Sequence, residues 1–240
     1  MDDLSTIEII LCAHGDRRGS FTERNSNLKS VVDYIKSEIA PKSCQIALLS
    51  EQGSLEAALA EVDFKVTLIL PLIFSDGYFY KKIEKSVGGL GGDASNLIRV
   101  AAPLCDWPEL SECLVGKVPE GGVLLVAHGS QRSSASRLAN ERLAARLSDF
   151  SKLSVTCAYL EEEPYADQVL ADSKEALCVV GLFLGSGLHG AEDWSLAISK
   201  SAVDPVASFT IGGMPEFPAL VCRKIKKIYR DKDSNSYLTD

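Results

Sequence analysis

The sequence predicts an α/β protein of two tandem units, each a four-stranded parallel sheet flanked by helices. Short, nearly continuous apolar runs alternate with longer stretches of helical spacing, the pattern left when crossover helices bury a parallel sheet on both faces. The apolar runs number eight. Three landmarks of the first half recur in the same order in the second, at offsets of 114, 111 and 110 residues, which divides the eight strands into two sets of four.

In chain order, the predicted strands are Ile7–Cys12, Cys44–Leu49, Val66–Leu72, Leu97–Ala101, Val123–Ala127, Leu153–Leu160, Leu177–Phe183 and Val206–Ile211. Between the first two, Leu28, Val31, Val32, Ile35 and Ile39 recur at i, i+3, i+4, i+7 and i+11 and put one apolar stripe on a helix. Similar stripes follow most other strands. Gly88-Gly89-Leu90-Gly91-Gly92 reads as a flexible loop. A closing helix carries Phe217, Val221, Ile225 and Ile228 on one side. Its other side bears Arg223, Lys224, Lys226 and Lys227, read as a solvated face followed by a frayed tail from Asp231. The linker between halves falls near Val118-Pro119-Glu120-Gly121-Gly122, so the expected units are 1–118 and 119–240.

The first landmark is Ile-Ile-Leu-Cys-Ala-His14-Gly-Asp-Arg-Arg18 against Val-Leu-Leu-Val-Ala-His128-Gly-Ser-Gln-Arg132. Both end a strand in Ala-His-Gly and carry an arginine four residues after the histidine. The second pairs Ala47-Leu48-Leu49-Ser50 with Ala158-Tyr159-Leu160-Glu161. The third pairs Ile73-Phe74-Ser75-Asp76-Gly77-Tyr78-Phe79 with Phe183-Leu184-Gly185-Ser186-Gly187-Leu188-His189.

Composition removes several function classes. At 240 residues, 46% hydrophobic and 24% charged, the chain has the make-up of a folded globular protein with room for one large or two small domains. Its longest apolar runs are about half of the roughly 20 residues that a membrane-spanning helix needs. Met1-Asp2-Asp3-Leu4 lacks a basic leader and an apolar core, so a cytoplasmic location is expected. Seven dispersed cysteines without a C-x-x-C pair argue against disulfides, iron–sulfur clusters and zinc ribbons. A formal charge of −8 argues against nucleic-acid and anionic-membrane surfaces.

All three histidines of the chain, His14, His128 and His189, sit at repeated landmarks or beside their strand ends. In an open parallel sheet the C-terminal strand ends share one edge, where ligands bind. The second half would gather His128, Glu161 and His189 there. Two imidazoles and a carboxylate suit a borderline divalent metal such as cobalt, nickel or iron, and they accept protons near neutral pH. The corresponding first-half set, His14, Ser50 and Phe79, keeps one ligand. One half reads as equipped for chemistry and the other as scaffold.

At these residues the chain resembles the CbiX-type sirohydrochlorin chelatases, which belong with the class II tetrapyrrole chelatases. Ala-His128-Gly-Ser130 is similar to the family's strand-end His-Gly-Ser, Leu160-Glu161 to its strand-end glutamate, and the segment from Phe183 to His189 to its second histidine motif. The resemblance implies two chelatase-like units facing each other across a tetrapyrrole cleft, and insertion of divalent cobalt or iron into sirohydrochlorin for cobalamin or siroheme synthesis. It also implies His128 and His189 as metal ligands and proton acceptors, with Glu161 in support. The metal enters as substrate, and no organic cofactor is implied. The substrate is rich in carboxylates while the protein is acidic, so Arg17, Arg18 and Arg132, with Lys81 and Lys82, are candidate cleft cations; Ser130 and His14 join them as substrate contacts. Phe79 and Ser50 depart from the pattern, so a symmetric two-site enzyme is not expected. The internal duplication favours a monomer, and neither a His-rich nor a cysteine-bearing tail is present.

Rival readings arise locally. Gly185-Ser-Gly187-Leu-His-Gly190 matches G-x-G-x-x-G, but Asp204, the acidic residue at the right distance, precedes the next strand instead of ending it. A phosphohistidine enzyme would need an arginine before the nucleophile, and Ala13 and Ala127 stand there. A non-catalytic carrier of tetrapyrrole or metal would share every feature of the resemblance.

Overall fold

The computed structural model describes residues 3–15, 26–63, 66–90, 97–131, 133–185 and 188–231, the side chains of 188–193 lying outside that description. Two compact units emerge, Met1–Leu104 with Glu216–Asp240, and Cys105–Pro215.

The first unit contains β1 (Glu8–Ala13), α1 (Ser26–Ile39), β2 (Ser43–Leu48), α2 (Ser54–Ala60), β3 (Val66–Leu72), α3 (Tyr78–Gly88) and β4 (Leu97–Val100). Its strands are parallel in the order β2-β1-β3-β4. Every residue of β1 is buried, which is why the run Ile-Ile-Leu-Cys-Ala shows no polar alternation. Leu55, Ala58 and Leu59 of α2, with Tyr80, Ile83 and Val87 of α3, pack onto Ile10, Cys12 and Ile69. The predicted stripe of α1 is buried residue for residue, from Leu28 to Ile39.

The second unit contains α4 (Pro108–Val115), β5 (Gly122–Ala127), α5 (Ala135–Ser151), β6 (Val155–Tyr159), α6 (Ala166–Asp172), β7 (Leu177–Gly181), α7 (Leu188–Ser199) and β8 (Ala207–Thr210). Its strand order, β6-β5-β7-β8, repeats that of the first unit. Ala166 and Leu170 of α6, with Trp194 and Ala197 of α7, cover Leu124, Val126 and Val179.

A boundary at 118/119 does not describe these units, because each takes in a helix from the other half of the sequence. The closing helix α8 (Phe217–Arg230) packs on α1 and β3 of the first unit, burying Phe217, Leu220, Val221, Cys222 and Ile225. Buried Arg99 of β4 holds its far end by donating to Ile228 O and, at 3.4 Å, to Tyr229 O. Reciprocally, α4 follows β4 in sequence but packs on α5. Arg146 of α5 donates to Ser111 Oγ at 2.9 Å and to Cys105 O, and Arg142 pairs with both oxygens of Asp106 at 3.1 Å. The physical cause is that an apolar stripe specifies burial without naming the sheet that provides it.

All eight predicted strands are present, with ends displaced by at most two residues. All seven cysteines are free. Among the described residues no helix is long and apolar enough to cross a membrane.

Candidate functional site

In the second unit β5 lies between β6 and β7, so the loops leaving these three strands emerge side by side at the C-terminal edge. The β5–β6 ladder continues past the strands: Leu160 N donates to Ala127 O and Glu161 N to His128 O, both at 3.0 Å. That extension makes His128 and Glu161 neighbours, with Nε2 3.5 Å from Oε2. Their side chains are 42% and 54% exposed, so both reach solvent. The separation is long for a strong hydrogen bond. It is close to the roughly 3.4 Å between two ligands of one tetrahedral cation with bonds of about 2.1 Å. An open depression of about 610 Å³ is lined by His128, Gly129, Ser130, Gln131, Glu161 and Tyr165.

Beneath this turn lies a set of contacts that sequence reasoning missed. Gly129 has φ +82°, and a side chain there would stand 2.8 Å from Glu162 Cγ and 2.9 Å from Tyr159 Cβ. Glu162 is 9% exposed although it adjoins exposed Glu161. Ser130 N donates to its Oε1 at 2.9 Å, and Arg137 donates to its Oε2 from Nη2 at 2.7 Å and from Nε at 3.2 Å. Arg137 also donates to Glu163 O at 2.6 Å and lies over the Tyr159 ring, 5.3 Å from its centroid. The carboxylate beside it holds the Arg137 guanidinium above its ordinary pKa. Gln131 Nε2 donates to Glu161 O at 2.9 Å, closing the turn from the other side. The available signal is the run Glu161-Glu162-Glu163, whose members split between surface and interior.

His189 is the second residue of α7. The chain leading to it is anchored where Leu182 N donates to Val126 O at 2.7 Å and Gly212 N to Phe183 O at 2.8 Å. Any side chain at Gly212 would run into the backbone of Leu184, so this approach requires glycine. The side chain of His189, and Arg17, Arg18 and Arg132 altogether, lie outside the described residues. Among the described residues no three His, Cys, Asp or Glu side chains form a metal-holding group.

The first unit repeats the scaffold with His14 alone of the three candidate ligand positions. Leu49 N donates to Ala13 O at 2.8 Å and Ser50 N to His14 O at 3.0 Å, the same ladder extension, and Gly15 has φ +79°. Ser50 is buried, so no carboxylate faces His14 from that position. The exposed His14 donates from Nδ1 to Gly15 O at 2.9 Å, and its ring meets Phe79 edge-on with centroids 4.9 Å apart. Phe79 is the second residue of α3, as residue 189 is of α7. Of the two candidate lysines, Lys81 is exposed and Lys82 Nζ donates to Leu49 O at 3.4 Å.

Residues 122–227, from the start of β5 into α8, match the CbiX family model. The match covers the strands of the second unit and most of the closing helix. No curated protein matches the chain by sequence. Among solved structures, the chain is similar to CbiX, the terminal enzyme for siroheme biosynthesis in denitrifying bacteria, with TM-score 0.71 and 23% identity over 92% of this chain and 98% of that one. It is similar to SirB from Bacillus subtilis with Fe3+, with TM-score 0.70 and 15% identity over 96% and 98% of the two chains. The sirohydrochlorin chelatase SirB of Bacillus subtilis subspecies spizizenii in complex with cobalt gives TM-score 0.68 and 14% identity over the same shares. These likenesses establish a shared fold along nearly the whole chain. Within it, His128 and Glu161 stand side by side after β5 and β6 and residue 189 opens α7, whereas His14 of the first unit meets an aromatic ring.

Proposed function

We propose that this protein is a sirohydrochlorin chelatase that inserts cobalt(II) or iron(II) into the macrocycle, serving cobalamin or siroheme synthesis in the cytoplasm. The observation that carries the reading is the His128–Glu161 pair, 3.5 Å apart within the segment that matches the CbiX model. That solved relatives hold Fe3+ or cobalt supports the choice of metals.

Insertion exchanges two pyrrole protons for one divalent cation. A neutral imidazole supports both halves of that exchange, as a loose ligand before transfer and as a base for a pyrrole N–H. Nε2 of His128 and Oε2 of Glu161 are spaced to share one cation, and once it leaves they can take the released protons. His189 at the start of α7 supplies the second imidazole in this proposal, while Ser130, His14, Arg18 and Arg132 contact the substrate carboxylates. The duplicated architecture supports action as a monomer.

The test is spectroscopic. Sirohydrochlorin mixed with cobalt, iron or nickel in turn should show an absorbance change faster with protein than without, over many turnovers per molecule. A single stoichiometric turn would instead describe a carrier. His128→Ala and His189→Ala should each remove the acceleration, with a smaller effect for His14→Ala. Full activity in either of the first two variants would refute the assignment.

A further inference from the structure

We propose that Glu162 and Arg137 form a positioning clamp that sets the His128 imidazole opposite the Glu161 carboxylate, without either touching the reactants. The inference rests on the metal-insertion reading of this face and adds the element that gives the face its geometry.

Ser130 is two residues from His128, and Glu162 is one residue from Glu161. The 2.9 Å bond from Ser130 N to Glu162 Oε1 therefore ties the two functional loops together directly behind the pair that faces solvent. The other oxygen accepts from two guanidinium donors, at 2.7 and 3.2 Å, so both carboxylate oxygens are engaged. A two-point guanidinium–carboxylate contact restricts orientation more than a single ammonium would. Arg137 is itself fixed at Glu163 O and over Tyr159, at the end of β6. The result is a closed circuit: the His128 turn, Glu162, Arg137, and back to the strand that bears Glu161.

Two facts separate this from a device of the fold. The Arg137 side chain is 36% exposed, and ion pairs open to solvent contribute only about 0–1 kcal/mol, so stability alone gives little reason to keep one here. The first unit also builds the same turn, with the same ladder extension and a positive-φ glycine, yet Glu51 at the position of Glu162 is exposed. Among the described residues the clamp occurs in the unit that carries His128 and Glu161 alone.

The experiment compares Glu162→Ala, Glu162→Gln and Arg137→Lys with the wild-type full chain, each well below its own Tm. In cobalt insertion into sirohydrochlorin, kcat should fall about tenfold in Glu162→Ala while KM for sirohydrochlorin changes by less than about twofold. Glu162→Gln, which keeps an acceptor for Ser130 N, should recover part of the loss. Independently of insertion, diethyl pyrocarbonate modification read by peptide mass spectrometry should change in rate at His128 by about threefold or more, with His14 as the unaffected internal standard. Should Glu162→Ala fail to fold, the other two variants carry the same readouts. The clamp is overturned if the folded variants leave kcat and the His128 rate within about twofold of wild type, or if His14 and His128 shift together. Selective change at His128 in a protein that inserts no metal would sustain the clamp and refute the metal-insertion reading.

Discussion

At Gly129 the backbone adopts φ +82° with Glu162 Cγ directly below the missing side chain. An alanine there faces about 1–2 kcal/mol for the left-handed conformation, before the 2.8 Å contact is relieved by moving Glu162. Gly129→Ala should therefore lose about 2 kcal/mol or more in urea denaturation and lose the proposed insertion activity with it; wild-type stability would contradict the geometry. The residues that can be read from sequence at this site are those that repeat. His128 and Glu161 stand out because His14 and Ser50 mark the same places in the other half. Glu162 does not, since its neighbours are also glutamates and only burial distinguishes it, 9% exposed beside an exposed Glu161. Arg137, distant in sequence and unremarkable on a helix, carries no local signal.

Helix α8 shows what periodicity conveys about an element. Of its predicted stripe, Phe217, Val221 and Ile225 are buried, joined by Leu220, while Ile228 is half-buried; on the basic side Arg223 and Lys227 are exposed and Lys224 and Lys226 half-buried. Leu220→Ala should cost about 2–5 kcal/mol, whereas Arg223→Ala on the exposed face should stay within about 0.5 kcal/mol, both measured by chemical denaturation. Equal effects would mean that α8 is not docked as described. Strand ends were less legible than strands: β6 spans Val155–Tyr159 inside a longer apolar run, because apolar residues continue into loops that the core also covers. The helix after β4 was harder still. Its residues Leu110 and Leu114 are buried, but nothing in their spacing says that α5 is what buries them.

For the whole molecule the exchange of helices has a direct consequence. A fragment 1–118 lacks α8 and would expose the α1 stripe, and a fragment 119–240 lacks α4 and would expose part of α5. Each should fail to unfold cooperatively by circular dichroism, while 105–215, which keeps the second unit's contacts, should melt as one transition. Cooperative folding of both linear halves would argue for independent domains. Burial also governs the thiols: it pushes Cys12 and Cys44 up to about 12 and Cys157, Cys178 and Cys222 up to about 11, from a usual value of 9.0. A raised folded pKa stabilises below the unfolded value and loses that contribution as pH rises through the folded one. Tm should thus hold up to about pH 9 and fall between about pH 9 and 12, and the same thiols should react with a disulfide reagent only after denaturation.

By itself the amino-acid sequence determined the class of fold, the number of strands, the duplication and the residues at the ends of β5 and β6. These are periodic or repeated features, and periodicity is the trace that burial leaves on a chain. The tertiary structure alone decided which sheet each closing helix covers, that Glu161 and Glu162 point to opposite sides of one turn, and that Arg137 reaches that turn. Those outcomes depend on contacts between segments tens of residues apart, which leave no period in the sequence.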